Sequence, residues 1–375
     1  MQLVLSAKWV TIGGGVEMQT LQMSRELALR GHRIDLLFNR DGDLGPEFRS
    51  FCHSMSQVPT FRFSRKRALR DLVSLTPAVR AAVRAHPEVV YISQPDHLAF
   101  GLLSGMLSRS PVVCHLHGWT QTGLIPRLAS HANRLIACSE FVRDRAIESG
   151  VPPQKVVVVH NGVNLKDYPP ATAEQRSKAR RALGLPDDAF VCLFFGRLDT
   201  EKGIEVLLNA WRHLGLAADR ARLLIVGSPS LVSDPQARLR ELHAMAPTGC
   251  AWLPMQRDVV TPLQAADVVA VPSNWDEPFP RVVLEGMAAG LPVVASRVGG
   301  IPEALTGEMA SFLFERASED ELADRLASLV DWRKDRPDLG LQCSAHIAGR
   351  FEIEGMVDGV ERVLFDAVGG SDKSS

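Results

Sequence analysis

No stretch of this chain is apolar for the ~20 residues that a membrane-spanning helix needs. Six cysteines are present, none in the C-x-x-C spacing of a zinc or redox site. Cys114, Cys138, Cys192 and Cys250 fall in apolar, strand-like runs, where a thiol acts as a small buried hydrophobe. A disulfide framework is therefore not expected, which fits a reducing compartment. Neither sign of charge is in excess: 42 Lys and Arg stand against 43 Asp and Glu. No overall field draws the protein toward nucleic acid. The opening residues, Met1 to Lys8, are apolar over too few positions for a signal peptide. The expectation is a cytoplasmic protein, with association at the inner face of a membrane left open. Also missing is the dinucleotide fingerprint. In Thr11-Ile12-Gly13-Gly14-Gly15 the pattern G-x-G-x-x-G would need glycine at position 18, which is Met18.

What the chain does have is length and core. At 375 residues with 46% hydrophobic content, two domains are the natural expectation. Residues 1–7 read as a strand, the glycine loop follows, and Val16 to Gly31 has helical apolar spacing. Arg33 to Phe38 then reads as a second strand. This βαβ unit implies a parallel sheet. Further strands are expected at Glu88–Ser93, Pro111–Gly118, Arg134–Ser139 and Lys155–Val159, with a helix around Asp96–Leu107. The pattern restarts at Phe190 with strands there and at Arg222–Gly227 and Cys250–Met255. Helical spacing returns at 318–330 and 352–367. An interdomain linker is expected at roughly 162–185.

Three motifs sit at strand ends. After the apolar run Asp267 to Ser273 comes Asn274-Trp275-Asp276-Glu277-Pro278-Phe279-Pro280-Arg281-Val282-Val283-Leu284-Glu285-Gly286. Prolines suit a first helical turn, so Glu277 is expected just before a helix and Glu285 about two turns into it. A helix start favours phosphate, and carboxylates beside it can accept hydrogen bonds from sugar hydroxyls. After Phe190 to Phe195 comes Gly196-Arg197-Leu198-Asp199-Thr200-Glu201-Lys202-Gly203. The Arg fork and the Lys point charge both suit a diphosphate. Cys114-His115-Leu116-His117-Gly118 closes a strand of the first half. His115 and His117 point to the same side, and His117 lies nearer the carboxyl end, where open parallel sheets hold their sites.

The glutamate pair, with its flanking Pro-Phe and the following Gly286-Met287-Ala288-Ala289-Gly290-Leu291-Pro292-Val293-Val294, resembles the paired-glutamate motif of the retaining GT-B glycosyltransferases, family 4. The resemblance implies an α/β fold of two Rossmann-like parallel-sheet domains facing across a cleft. Their expected spans are 1–165 for the acceptor domain, joined by a returning helix at about 352–368, and 166–351 for the nucleotide-sugar domain. It implies a hexosyltransferase that uses a nucleotide-diphosphate sugar, UDP first and GDP second, to glycosylate a glycan, lipid-linked or small-molecule acceptor. It further implies roles for residues. Glu285 would hold the ribose, and Arg197 and Lys202 the diphosphate. Glu277 and the main chain of Phe279 and Pro280 would hold the sugar. Gly14 and Gly15 would approach donor and acceptor, and Gly227 would allow a ligand close. Met255 and Gln256 would contact the base, and His117 the donor sugar. No cofactor or metal is expected, because Arg and Lys can do a metal's work. Pro280 stands where many relatives carry glycine and removes one N–H. A nucleotide-sugar 2-epimerase of the same fold and a non-catalytic sugar-binding protein are the alternatives.

One feature stands apart. Arg62, Arg65, Lys66, Arg67 and Arg70 interleave with Phe61 and Phe63. A solvated or acceptor-side loop is the preferred expectation. Peripheral membrane contact through 61–70 is the other, since basic amphipathic stretches bind anionic surfaces.

Overall fold

Short runs rich in Val, Ile and Leu, buried on both faces, build parallel sheets, and this chain has two. The computed structural model describes residues 1–12, 14–120, 123–230 and 232–369. Gly13 of the expected glycine loop and the tail 370–375 lie outside the described residues. The chain divides into two units, Met1–Gly162 with the segment from Ile353 onward, and Val163–Glu352.

The first unit holds β1 (Gln2–Trp9), β2 (Arg33–Arg40), β3 (Ser54–Gln57), β4 (Val89–Ile92), β5 (Val112–Leu116), β6 (Arg134–Ala137) and β7 (Val156–Val158). Their order in the sheet is β3-β2-β1-β4-β5-β6-β7. Every neighbouring pair is parallel. The helix Ile353–Gly369 belongs to this unit. Its Ile353, Met356, Val357, Val360, Val363, Leu364 and Ala367 recur at helical spacing and enter one core with Leu3, Leu5, Leu21, Leu27 and Ile136. Polar ties fix its outer face: His32 Nε2 lies 2.6 Å from Glu361 Oε1, and Arg30 donates to Asp358 at 2.6 Å.

The second unit holds β8 (Phe190–Arg197), β9 (Ala221–Ser228), β10 (Cys250–Leu253), β11 (Val268–Val271), β12 (Val293–Ser296) and β13 (Leu313–Phe314). Their order is β10-β9-β8-β11-β12-β13, again all parallel. The stretch expected as a linker at 162–185 is not one throughout. Ala173–Ala182 is a helix of the second unit, started by a capping box in which Thr172 and Gln175 exchange hydrogen bonds. Within it Arg180 is fully buried.

Arg180 is buried because a carboxylate waits for it. Asp267, just before β11, accepts from Arg180 at 2.6 Å, from Arg176 and Arg333 at 2.8 Å each, and from the Val191 N–H at 2.8 Å. Burial works against its charge, but the three guanidinium groups override it and hold the carboxyl below its ordinary value. This network joins two helices, Ala173–Ala182 and Trp332–Asp335, to the starts of β8 and β11. All six cysteines are free thiols. Among the described residues no helix is long and apolar enough to cross a membrane.

Candidate functional site

In the second unit β8 and β11 are neighbours, while β9 continues from β8 in the opposite direction. Open parallel sheets bind ligands outside the carboxyl ends of their strands at such a reversal. Arg197, Lys202 and Glu277 follow or end β8 and β11, and Glu285 lies on the helix after β11.

Arg197 is the last residue of β8, and its Nη1 donates to Asp199 Oδ2 at 2.7 Å. Asp199 is itself fixed by the Ser230 N–H at 3.1 Å. Lys202 closes the turn Thr200–Lys202, and Gly203 then starts the helix Ile204–Leu214. Gly203 has φ 69°, and a Cβ there would meet the Pro272 carbonyl oxygen at 1.7 Å. Only glycine lets these two loops lie together. The Asn274 N–H bonds to the Glu201 carbonyl at 2.8 Å and ties the same loops.

That closeness brings Lys202 Nζ to Glu277 Oε1, 2.6 Å away. Ser273 Oγ donates to the same oxygen at 2.6 Å. Glu277 is buried, and its carbonyl accepts from the Gly300 N–H at 2.8 Å. The cation and the carboxylate, read from sequence as separate groups, thus face each other directly. Trp275 lies 5.6 Å beneath Lys202, and both Trp275 Nε1 and Asn274 Oδ1 are buried with no partner among the described residues.

Glu285 is one turn, not two, into its helix. The helix is Arg281–Ala288, with Pro280 as its N-cap residue at φ −77° and ψ 126°. Pro278 and Pro280 therefore lie before the helix, and a residue preceding proline is pushed out of helical geometry. Arg281 donates to Glu285 Oε1 at 2.7 Å, and the Tyr168 hydroxyl donates to it at 3.2 Å. Burial opposes the charge on Arg281, but Glu285 overrides it and raises the pKa. Burial, then Glu285, pushes the Tyr168 phenol up, so it stays a hydrogen-bond donor. Tyr168 was missed by sequence reasoning. The i, i+4 spacing of Arg281 and Glu285 is the sequence signal for their pairing.

Other predicted residues have local explanations. The Phe279 ring is buried against Phe351, centroids 5.3 Å apart, so its main chain is what it can offer a ligand. A Cβ at Gly227 would lie 2.0 Å from the Gly196 carbonyl oxygen. This glycine accommodates the adjacent strand end rather than open space for a ligand. Met255 is half exposed beyond β10, and its N–H donates to Ser228 Oγ at 3.1 Å.

His117, Gly14 and Gly15 belong to the first unit. Gly15 is the first residue of the helix Gly15–Leu29, and Gly14 is extended at φ 169°, a conformation open to any residue. His117 follows β5 and stacks on His115 at 4.0 Å. His115 Nδ1 meets the Tyr91 hydroxyl at 2.6 Å. Nε2 of His117 is buried with no partner among the described residues. Burial pushes the His117 ring down to about 4, so it is neutral at physiological pH. The chain's one Asp-x-Asp triplet, Asp41-Gly42-Asp43, serves a turn: Asp41 pairs with Arg49, and Asp43 accepts from the Ile12 N–H at 2.8 Å. Among the described residues no three His, Cys, Asp or Glu side chains form a metal-binding group.

These rings carry a pH dependence. His97, also buried, is pushed to about 4, and His115 lies well below its ordinary 6.5. The unfolded chain takes up these protons near 6.5, whereas the folded chain takes up those of His97 and His117 only near 4 and that of His115 well below 6.5. Stability is therefore complete above 6.5 and falls as pH drops toward 4. A melting midpoint lower by roughly 5–10 °C at pH 4.5 than at pH 7 is expected. A flat profile across that window would mean that the rings are not held neutral.

Comparison with known proteins gives a consistent picture. Residues 175–342 match the family described as glycosyl transferases group 1, and residues 13–167 match Glycosyltransferase Family 4. The D-inositol 3-phosphate glycosyltransferase of Saccharomonospora viridis is 37% identical over 215 residues, 54% of this chain and 49% of that one. Its counterpart in Corynebacterium aurimucosum is 32% identical over 64% of this chain and 59% of that one. The chain thus spans about half the length of these curated relatives. Among solved structures, Anabaena HepE in complex with UDP and glucose superposes with a TM-score of 0.84 at 22% identity, covering 98% of this chain and 100% of that one. A glycosyltransferase from Rickettsia africae gives 0.85 at 19% identity, covering 98% of each chain.

Proposed function

For a chain that belongs to the family 4 glycosyltransferases and has the GT-B fold, we infer a transfer of a hexosyl unit from a UDP-sugar to an acceptor hydroxyl. Retention of configuration and independence of metal are part of the proposal. The observation that carries it is the group Arg197, Lys202, Glu277 and Glu285 at the carboxyl ends of β8 and β11, with Lys202 already paired to Glu277.

On this reading the donor diphosphate takes Lys202 from Glu277 and accepts the Arg197 fork. Glu277, released from Lys202 but still held by Ser273, turns its oxygens to the sugar hydroxyls. Glu285, oriented by Arg281 and Tyr168, accepts from the ribose diol. Trp275 Nε1 supplies a buried donor and Asn274 Oδ1 a buried acceptor beside the same loop. The acceptor oxygen then bonds to the anomeric carbon on the face that the diphosphate leaves. The bond from that carbon to the phosphate oxygen breaks, and the acceptor proton passes to the departing phosphate. Two fixed cations stabilise the charge that develops on the leaving group, the role a metal plays elsewhere. A GT-B neighbour solved with UDP-glucose supports UDP as the nucleotide.

The test is a melting series with UDP, UDP-glucose and GDP-mannose, followed by NMR of the product. Ligand at a hundred times its Kd adds about 2.7 kcal/mol, a clear rise in midpoint. UDP and UDP-glucose should give it and EDTA should not abolish activity. The product anomer should match the donor. No response to any of the three nucleotides ends the donor reading; inversion, or activity lost to EDTA and restored by magnesium, ends its retaining or metal-free part.

A further inference from the structure

We propose that the second unit carries a regulatory pocket for a small neutral aromatic molecule, whose binding weakens the hold of Tyr168 on Glu285. Only the consequence for the sugar donor rests on the transferase reading. The pocket is a cavity of about 200 Å³ whose walls include Pro170, Leu263, Gln264, Gly290 and Trp332. Leu263 comes before β11, and Leu291, also in the wall, comes before β12. The pocket therefore lies at the amino ends of these strands, the opposite end from Arg197 and Glu277.

Two of its walls are tied to the Tyr168–Glu285 hydrogen bond. Pro170 follows Tyr168 by two residues. Ala289 lies one turn beyond Glu285, and its N–H bonds to the Glu285 carbonyl at 3.1 Å. The helix Arg281–Ala288 thus carries Glu285 and runs straight into the pocket wall. The two walls already touch: a Cβ on Gly290 would lie 3.1 Å from Pro170. A molecule wedged beside them moves Pro170 away from Gly290. The Tyr168 hydroxyl is 3.2 Å from Glu285 Oε1, long for a hydroxyl donor, so it has no slack. Close-packed interiors pass such displacements on rather than absorb them.

The walls decide the class of ligand. Leu263, Leu291 and Trp332 are buried, and most lining side chains are apolar. An apolar cavity of about 150 Å³ holds benzene, so this one has room for a ring with a small polar group. Aromatic rings also pair well with an indole such as that of Trp332. Arg333 stands in the wall, but Asp267 holds its Nε at 2.8 Å and the Ala266 carbonyl its Nη2 at 3.2 Å. Its fork is therefore not free to clamp an acid. The Gln264 side chain has no hydrogen-bond partner among the described residues, and its amide oxygen can accept from one N–H or O–H of the ligand.

The experiment is NMR of the whole chain labelled at its tyrosine rings, titrated with indole. The sequence has 2 tyrosines, Tyr91 and Tyr168, and Tyr168→Phe identifies the second signal. Indole should shift the Tyr168 signal saturably and leave that of Tyr91 in place. Benzoate should bind roughly tenfold more weakly, since it must bury a charge. Gln264→Leu should weaken indole roughly fivefold, the worth of one hydrogen bond. Ala171→Phe, which fills the pocket mouth from a half-exposed position, should weaken it further. Bound indole should weaken UDP by roughly fivefold or more, and UDP should weaken indole by the same factor. A Tyr168 signal that ignores indole overturns the proposal, as does indole binding equal to wild type in both pocket variants. So does UDP affinity unchanged at saturating indole. If UDP does not bind at all, the donor reading fails instead, and the Tyr168 signal still decides the pocket.

Discussion

Arg197→Ala should lower kcat/KM for the sugar donor by roughly 10²–10³-fold, the usual loss when one fixed group on developing charge is removed. The side chain is placed for this. It ends a central strand, and Asp199 holds its fork in one orientation at 2.7 Å. Its other carboxylate partner, Glu201, is 3.5 Å away and half exposed, a pairing of little energetic weight. Removing Arg197 should therefore cost activity without much stability, with a melting midpoint near that of wild type. Lys202→Ala should be similarly inactive but less stable, because Glu277 would stay buried with only the Ser273 hydroxyl on its side chain. Measured kcat/KM within threefold of wild type in both variants would remove the clamp from the mechanism.

Asp267→Ala should cost about 3–5 kcal/mol, the range for breaking a buried ion pair by deleting one partner. That is a large part of the 5–15 kcal/mol typical of a whole domain. The reason is Arg180, which has no exposed surface and would keep its carbonyl partners Ala265, Pro186, Asp187 and Ala189 but lose the one carboxylate it pairs with among the described residues. Arg176 and Arg333 lose the same anchor. Asp267→Asn keeps the shape and most hydrogen bonds, so it should fall between the variant and wild type. Denaturant unfolding followed by tryptophan fluorescence reads the loss, since Trp332 Nε1 bonds to the Asp267 carbonyl at 2.9 Å. The carboxyl is held below its ordinary 3.8, so this contribution is present above that pH and lost below it. Its acid window thus lies lower than that of the buried histidines. A loss under 1 kcal/mol in Asp267→Ala would show that the three arginines do not depend on it.

The sheets were legible because parallel strands buried on both faces are continuous apolar runs, as in Val268 to Val271 and Phe190 to Phe195. The ends of those runs marked Arg197, Lys202 and Glu277. What the sequence hid was pairing over distance. Tyr168 reaches Glu285 across 117 residues, and nothing near it signals a contact. Asp267 read as the plain edge of a strand, since its three arginines are scattered along the chain. Gly227 read as room for a ligand, although the space is taken by Gly196. The helix register at Glu285 was misjudged because two prolines suggested a first turn, whereas alternating prolines keep the chain extended until Arg281.

The first unit is assembled from two stretches separated by the whole of the second. During synthesis its strands leave the ribosome first, yet the helix that closes its core, Ile353–Gly369, emerges only after the intervening unit is complete. Leu3, Leu27 and Ile136 must wait, part of their apolar surface open to water, while Val163–Glu352 is free to finish folding. This is an order in which the later-made half matures before the earlier one, and in which chaperone binding should concentrate on the early strands.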